Sequence, residues 1–137
     1  MITTIFSTYC SKEKRKDKED IKSIDRYISN RILKVFKTSL LLDVEFRILS
    51  GEFGLLKADD KIPYYDHLLI KEELPEYINK LYNQLKSLDI KQFIFFSESL
   101  LVDSNLEPYQ IAIKTVCERL NIDFSIIELS QKINRDI

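Results

Sequence analysis

The chain has 137 residues and a mass of 16.2 kDa, room for one hydrophobic core and so for a single domain over residues 1–137. Hydrophobic residues make up 45% and charged residues 31%, with two Gly and three Pro, which excludes collagen-like, mucin-like and wholly disordered chains. The formal charge of −1 supplies no whole-molecule field for a nucleic-acid or membrane partner, so any such surface must be local.

Residues 2–9 (ITTIFSTY) are dense in β-branched and aromatic side chains without polar alternation, the pattern of a strand covered on both faces. Residues 12–20 contain no apolar side chain and read as solvated loop or frayed helix. From Ile21 onward, Ile24, Tyr27 or Ile28, Ile32, Val35 and Phe36 recur at threes and fours, which predicts one long helix with 40–42 as a last turn against the sheet. Residues 44–49 return to period two and end at Ser50-Gly51, a second strand. The segment 51–69 holds both glycines and one proline with no lasting periodicity, and is expected to be a long ordered loop.

A second helix starts at Lys71, with acids and Pro75 in its first turns and Leu74, Ile78, Leu81, Tyr82 and Leu85 as its stripe; it closes at Leu88-Asp89. Residues 91–96 form a third strand, 108–120 a third helix bearing Ile111, Ile113, Val116, Cys117 and Leu120, and 124–129 a fourth strand, with the last few residues frayed. Strands separated by helices cannot be hairpin partners. The expected fold is therefore a single α/β domain, a mainly parallel sheet of four or more strands with helices on both faces. Ligands in such folds sit beyond the carboxyl ends of the strands, here Cys10-Ser11-Lys12, Ser50-Gly51, Ser97-Glu98-Ser99 and the tail after Leu129. A shared pocket requires the 44–49 strand to run parallel to the first.

Two cysteines 107 positions apart and the absence of a signal-peptide pattern favour a reducing cytoplasm, and no apolar run approaches the roughly 20 residues of a membrane span. One histidine and no C-x-x-C or H-x-x-x-H spacing leave no zinc site. The acids Asp59, Asp60, Asp66 and Glu98 would hold a hard cation only if several loops converged, so no metal or cofactor is assigned. Asp60, Asp66 and Glu98 are instead candidate catalytic carboxylates that accept a hydrogen bond from a base or activate water. Cys10, followed by Lys12, Lys14, Arg15 and Lys16, is a weaker candidate nucleophile against the plain reading of a buried inert thiol, with His67 the only imidazole to serve it. Gly51 and Gly54 suit either a ligand approaching the backbone or simple turns, with the Ser50 hydroxyl beside them. Residues 11–37 carry ten Lys or Arg against five acids, a net of +5, which aims at a phosphate backbone or is a solvated helix face. Tyr9, Tyr64, Tyr65 and Tyr109 are stacking candidates or lids over the core.

The run Cys10-Ser11-Lys12, followed by Ile48-Leu49-Ser50-Gly51-Glu52-Phe53-Gly54-Leu55-Leu56 and then by Ile62, Tyr65-Asp66 and Leu69, resembles the uncharacterised DUF6884 family. The chain also looks like a shorter relative of the YaaA peroxide-stress family, which carries a similar strand-Ser-Gly-x-Tyr-Gly-Leu-Leu segment. Phe53 stands where these families place Tyr or His, Asp60 matches a later Asp, and Tyr109 matches the tyrosine after the third strand. Ala58 and Tyr64 stand where the families place Pro, which removes two φ locks and leaves Pro63 nearby.

The resemblance spans roughly residues 4–127. It implies a compact α/β domain, related in shape to uracil-DNA glycosylases, that handles a nucleobase, nucleotide or damaged nucleic acid, with no catalytic residue supplied. The leading expectation is a nucleic-acid- or nucleotide-binding domain, with glycosidic-bond hydrolysis, nucleic-acid modification or repair as its chemistry. Ser11, Lys12, Ser50, Gly51, Gly54, Tyr65 and Tyr109 would bind the substrate, and the 11–37 basic region would meet phosphate. The alternative is a non-enzymatic protein-interaction or stress-response domain.

Overall fold

A computed structural model describes residues 3–129; the expected frayed end and Ile2 lie outside the described residues. The elements are β1 (Thr4–Tyr9), β2 (Ile21–Lys22), α1 (Ser23–Arg26), α2 (Asn30–Leu42), β3 (Glu45–Ser50), β4 (Gly54–Leu56), β5 (Lys61–Ile62), α3 (Leu74–Leu85), β6 (Gln92–Ser97), α4 (Glu107–Arg119) and β7 (Asp123–Glu128). Short 3₁₀ turns, Lys71–Glu73 and Ser104–Leu106, lead into α3 and α4.

The main sheet has the order β4-β3-β1-β6-β7, and β2 pairs with β5 in a separate two-stranded sheet. β1 runs parallel to both β3 and β6, and β6 parallel to β7, so this is the mainly parallel α/β sheet that the chain order implied. β3 is covered on both faces in spite of its period-two sequence, because α2 packs on one side and α3 and α4 on the other. Phe6, Ile32, Val35, Phe46, Ile48 and Leu56 form the core under α2. Ile5, Leu49, Phe93, Phe95, Tyr77, Leu81, Ile113 and Val116 form the core under α3 and α4. Each large side chain buried there contributes roughly 1.5–3 kcal/mol of transfer free energy. Pro75 and Pro108 start α3 and α4, where a missing N–H leaves no helical bond unmade.

Five expectations need correction. The predicted single helix from Ile21 is broken: Lys22 is extended (φ −55°, ψ 141°), Ile21 pairs with Ile62, α1 lasts one turn, and Ser29 starts α2 by accepting the Ile32 N–H at 3.2 Å. The apolar spacing survives because Tyr27 and Ile32 enter the same core from separate elements. The 51–69 loop contains two strands, β4 folding back antiparallel on β3 with Ser50 opposite Gly54, and β5. Gly54 takes φ 74°, the left-handed region that glycine enters without strain, and a Cβ there would strike the Gln84 amide. α3 ends at Leu85 rather than Leu88, and within α4 Ile111 faces solvent while Ala112 takes its place in the core. The run 12–20 is loop, but it is not wholly solvated, because Lys14 is 8% exposed.

Candidate functional site

The connection after β1 passes to α2 on one face of the sheet, and the connection after β6 passes to α4 on the other. Between two such strands the chain leaves a crevice at their carboxyl ends, the topological switch point where open α/β sheets hold ligands. A cleft of about 440 Å³ lies there. One wall is Tyr9–Lys14, which follows β1, a second is Asp103, Asn105, Leu106 and Tyr109 at the start of α4, and Asp66–Leu68 closes it beside Ile28, Ser29 and Arg31 at the start of α2.

Arg31 holds the first wall. Its Nη1 donates to Thr8 Oγ1 at 2.7 Å and Tyr9 O at 2.6 Å, its Nη2 to Cys10 O at 3.3 Å, and its guanidinium lies 3.4 Å from the Tyr9 ring centroid. Burial lowers its pKa, which Tyr9, Cys10 and Glu98 oppose. Arg26 holds the loop behind that wall: fully buried, it donates to the carbonyls of Arg15, Asp17, Glu19 and Ile62 at 2.8–3.1 Å. Two of the ten basic residues of 11–37 are therefore structural, Lys14 is a third that lies inside, and Arg15 is paired with Asp17 at 2.8 Å. The segment is not the continuous basic face that its charge count suggested.

Beneath the cleft lies a hydroxyl cluster. Ser50 Oγ accepts the N–H groups of Glu52 and Phe53 at 3.1 and 3.0 Å and bonds the Tyr65 hydroxyl at 2.8 Å, which in turn bonds the Tyr27 hydroxyl at 2.5 Å. Tyr77 donates to Ser50 O at 2.7 Å, and Leu69 N–H donates to the Tyr109 hydroxyl at 3.1 Å. Burial raises the pKa of all four phenols, Tyr27, Tyr65, Tyr77 and Tyr109, with the neighbouring Cys10 adding to it. They are neutral hydrogen-bonding groups at any working pH. Burial likewise pushes the Cys117 thiol up to about 12, so that cysteine is an inert core residue.

His67 is gripped on both nitrogens, Nδ1 at 2.5 Å from Glu52 Oε1 and Nε2 at 2.8 Å from Glu73 Oε2. It fastens the cleft loop to the turn after β3 and to the start of α3. Glu73 first and Glu52 second raise its pKa above 6.5, and His67 lowers that of Glu73. With a carboxylate on each nitrogen, neither is free to serve Cys10. The clasp's contribution to folding is full below the unfolded imidazole value of about 6.5 and is lost as pH rises through the higher folded value. NMR titration of the single histidine should give a pKa above 6.5 that falls in Glu73→Gln; a value at or below 6.5 would disprove the clasp in solution.

Of the residues singled out in the sequence, Tyr9, Cys10, Ser11, Lys12, Lys14, Asp66, His67 and Tyr109 line this cleft together. Ser50 and Tyr65 sit in the hydroxyl layer, and Gly51 leaves room for the Tyr109 hydroxyl, 2.8 Å from where a Cβ would stand. Gly54 opens β4 just after the turn and packs against Gln84 of α3. Asp60 is outside the cleft lining: its Oδ2 accepts Lys57 N–H at 2.8 Å and its carbonyl accepts Ser23 N–H at 2.7 Å. Glu98 is also outside the lining, with Oε2 buried and without a hydrogen-bond partner among the described residues. Lys14, Tyr27, Arg31, Glu52, Glu73 and Asp103 were not nominated for these roles. The helical spacing named Tyr27 among them, and it concealed the break that aims Tyr27 inward. Among the described residues no group of three or more His, Cys, Asp or Glu side chains is placed to hold a metal ion, and no helix is long and apolar enough to cross a membrane. No protein-family model matches the chain, and no curated protein or solved structure gives a significant match; the resemblance to the DUF6884 and YaaA-like families rests on its short motifs.

Proposed function

We propose that the chain is a nucleotide-binding domain that takes a single nucleotide-sized ligand in the switch-point cleft. The observation that carries this reading is the position of the cleft, between β1 and β6 where their connections part to opposite faces. Its volume of about 440 Å³ lies in the range of small-molecule sites, roughly 300–1,000 Å³, and its walls combine aromatic rings with hydroxyls and charges of both signs. A small ligand fits better than a polymer, because Lys14 and Arg26 are buried instead of forming a continuous surface track. Should the domain hydrolyse a glycosidic bond, Asp66 is the nominated carboxylate that lines the cleft and would orient water, while Ser11 and Lys12 would hold ligand oxygens.

Titration of the ¹⁵N-labelled chain with nucleoside 5′-monophosphates and with short oligonucleotides tests the reading. The expected result is mononucleotide-dependent shifts confined to residues 9–14, 29–31, 66–68 and 103–109. Shifts elsewhere, or none, would overturn it. A second reading, a protein-interaction domain, is favoured by Leu41 and Leu101, exposed to 85% and 98%. Self-association by light scattering with no nucleotide response would select it.

A further inference from the structure

We propose that the cleft contains an anion subsite centred on the Lys14 ammonium, which receives the phosphate of the ligand. This deepens the nucleotide reading and rests on it for the identity of the rest of the ligand. Lys14 is 8% exposed and lines the cleft. An ammonium has three donors, but the Lys14 Nζ makes one long hydrogen bond, 3.3 Å to Lys12 O, and lies 4.6 Å from the Tyr65 ring centroid. No carboxylate comes within 4.0 Å of it among the described residues. A buried cation is costly unless it is paired and hydrogen-bonded. The neighbouring guanidinium groups are far better engaged: both terminal nitrogens of Arg26 donate, to four carbonyls in all, with only its Nε unpartnered, and Arg31 has three acceptors and an aromatic face. Arg26 lies outside the cleft lining, so Lys14 is the buried lining cation that keeps two donors to spare.

The backbone holds the ammonium in place without a ligand. Lys14 bridges to Tyr27, Arg15 N–H donates to Arg26 O at 2.8 Å, and Ile28 N–H donates to Glu13 O at 3.0 Å. The same bonds bring the start of α2 to the same wall. Ser29 caps it through Ile32 N–H, while the N–H groups of Asn30 and Arg31 have no acceptor among the described residues, and no acid occupies the first turn. Lys12, without a carboxylate partner among the described residues, lies on the same wall. Of the lining acids, Asp103 is engaged by Asn105 N–H, and neither Glu13 nor Asp66 approaches Lys14 within 4.0 Å. Two amides, an unpaired buried ammonium and a second lysine make a phosphate-type receptor.

The test compares inorganic phosphate, the four nucleosides and their 5′-monophosphates on the wild-type chain and on Lys14→Met, which keeps the apolar stem and removes the charge. The wild type should bind a monophosphate at least tenfold more tightly than its nucleoside, and Lys14→Met should lose that difference. Equal affinity for nucleoside and monophosphate, or unimpaired phosphate binding by Lys14→Met, overturns the subsite while leaving the cleft reading intact. Phosphate binding that depends on Lys14 with no preference for any nucleotide keeps the subsite and overturns the nucleotide reading. If Lys14→Met does not fold, the wild type still decides: phosphate should shift the Asn30 and Arg31 amide resonances, and their indifference to it overturns the subsite.

Discussion

Arg26→Met is expected to destabilise the fold by about 3 kcal/mol, read as a lower urea midpoint at unchanged slope. Arg26 is fully buried and has no carboxylate partner among the described residues, and its guanidinium joins the carbonyls of Arg15, Asp17 and Glu19 in one loop to that of Ile62 in β5. Methionine fills much of the same space but leaves four acceptors without donors. Each group that stays buried costs roughly 1–3 kcal/mol, and those at the loop edge recover part of it by turning to water. Arg26→Lys should recover little, because a single ammonium cannot reproduce a planar fork spanning four carbonyls. A loss below about 1 kcal/mol in Arg26→Met would mean that the loop is held by its backbone bonds alone. The loop bears Lys12 and Lys14, so the variant should also open it to proteolysis between residues 15 and 19.

Arg26 also marks where reading the sequence reaches its limit. The strand–helix alternation is legible, because the apolar content of residues 4–9 and the helical spacing of 74–85 agree with the elements they form. The parallel sense of β1 and β3 follows from the helix between them, and with it the convergence of Cys10, Ser11 and Asp66 on one rim. The same helical spacing continues back to Ile21, yet Ile21 and Lys22 form a strand, since cross-strand pairing with Ile62 and Lys61 and the four Arg26 bonds outweigh weak local propensity. Nothing local distinguishes an arginine that will sit in a cage of carbonyls from one that will face water.

The cleft is legible as a location and not as a chemistry, for a related reason. Lys14 sits in a run of alternating charges, Lys12-Glu13-Lys14-Arg15-Lys16-Asp17, that reads as uniformly solvated. A backbone bridge to Tyr27 and the ring of Tyr65, 51 positions later, turn that one lysine inward. His67 is similar: its partner Glu52 lies 15 positions earlier, across a β-hairpin turn that the glycines announced but whose strand they did not. Asp60 and Asp66 are indistinguishable by spacing, and only the fold assigns one to a turn and the other to the cleft wall.

Two serines that are each 0% exposed, Ser50 and Ser7, should respond in opposite ways to replacement by alanine. Ser50 Oγ has three partners: the N–H groups of Glu52 and Phe53 and the hydroxyl of Tyr65. Removing it strands two backbone donors and leaves the Tyr27–Tyr65 pair one bond short, at an expected cost of about 2–3 kcal/mol. Ser7 Oγ, buried on the other face of the sheet, has no hydrogen-bond partner among the described residues, so alanine there removes an unsatisfied polar atom and should be neutral or stabilising by a few tenths of a kcal/mol. Urea denaturation of both variants against the wild type measures the contrast. Because the Ser50 bonds hold the turn that carries Glu52, Ser50→Ala should also lower the His67 pKa, while Ser7→Ala should leave it unchanged. Equal costs for the two serines would show that the hydroxyl cluster contributes no more than the space it fills, and that the floor of the cleft is held by apolar packing.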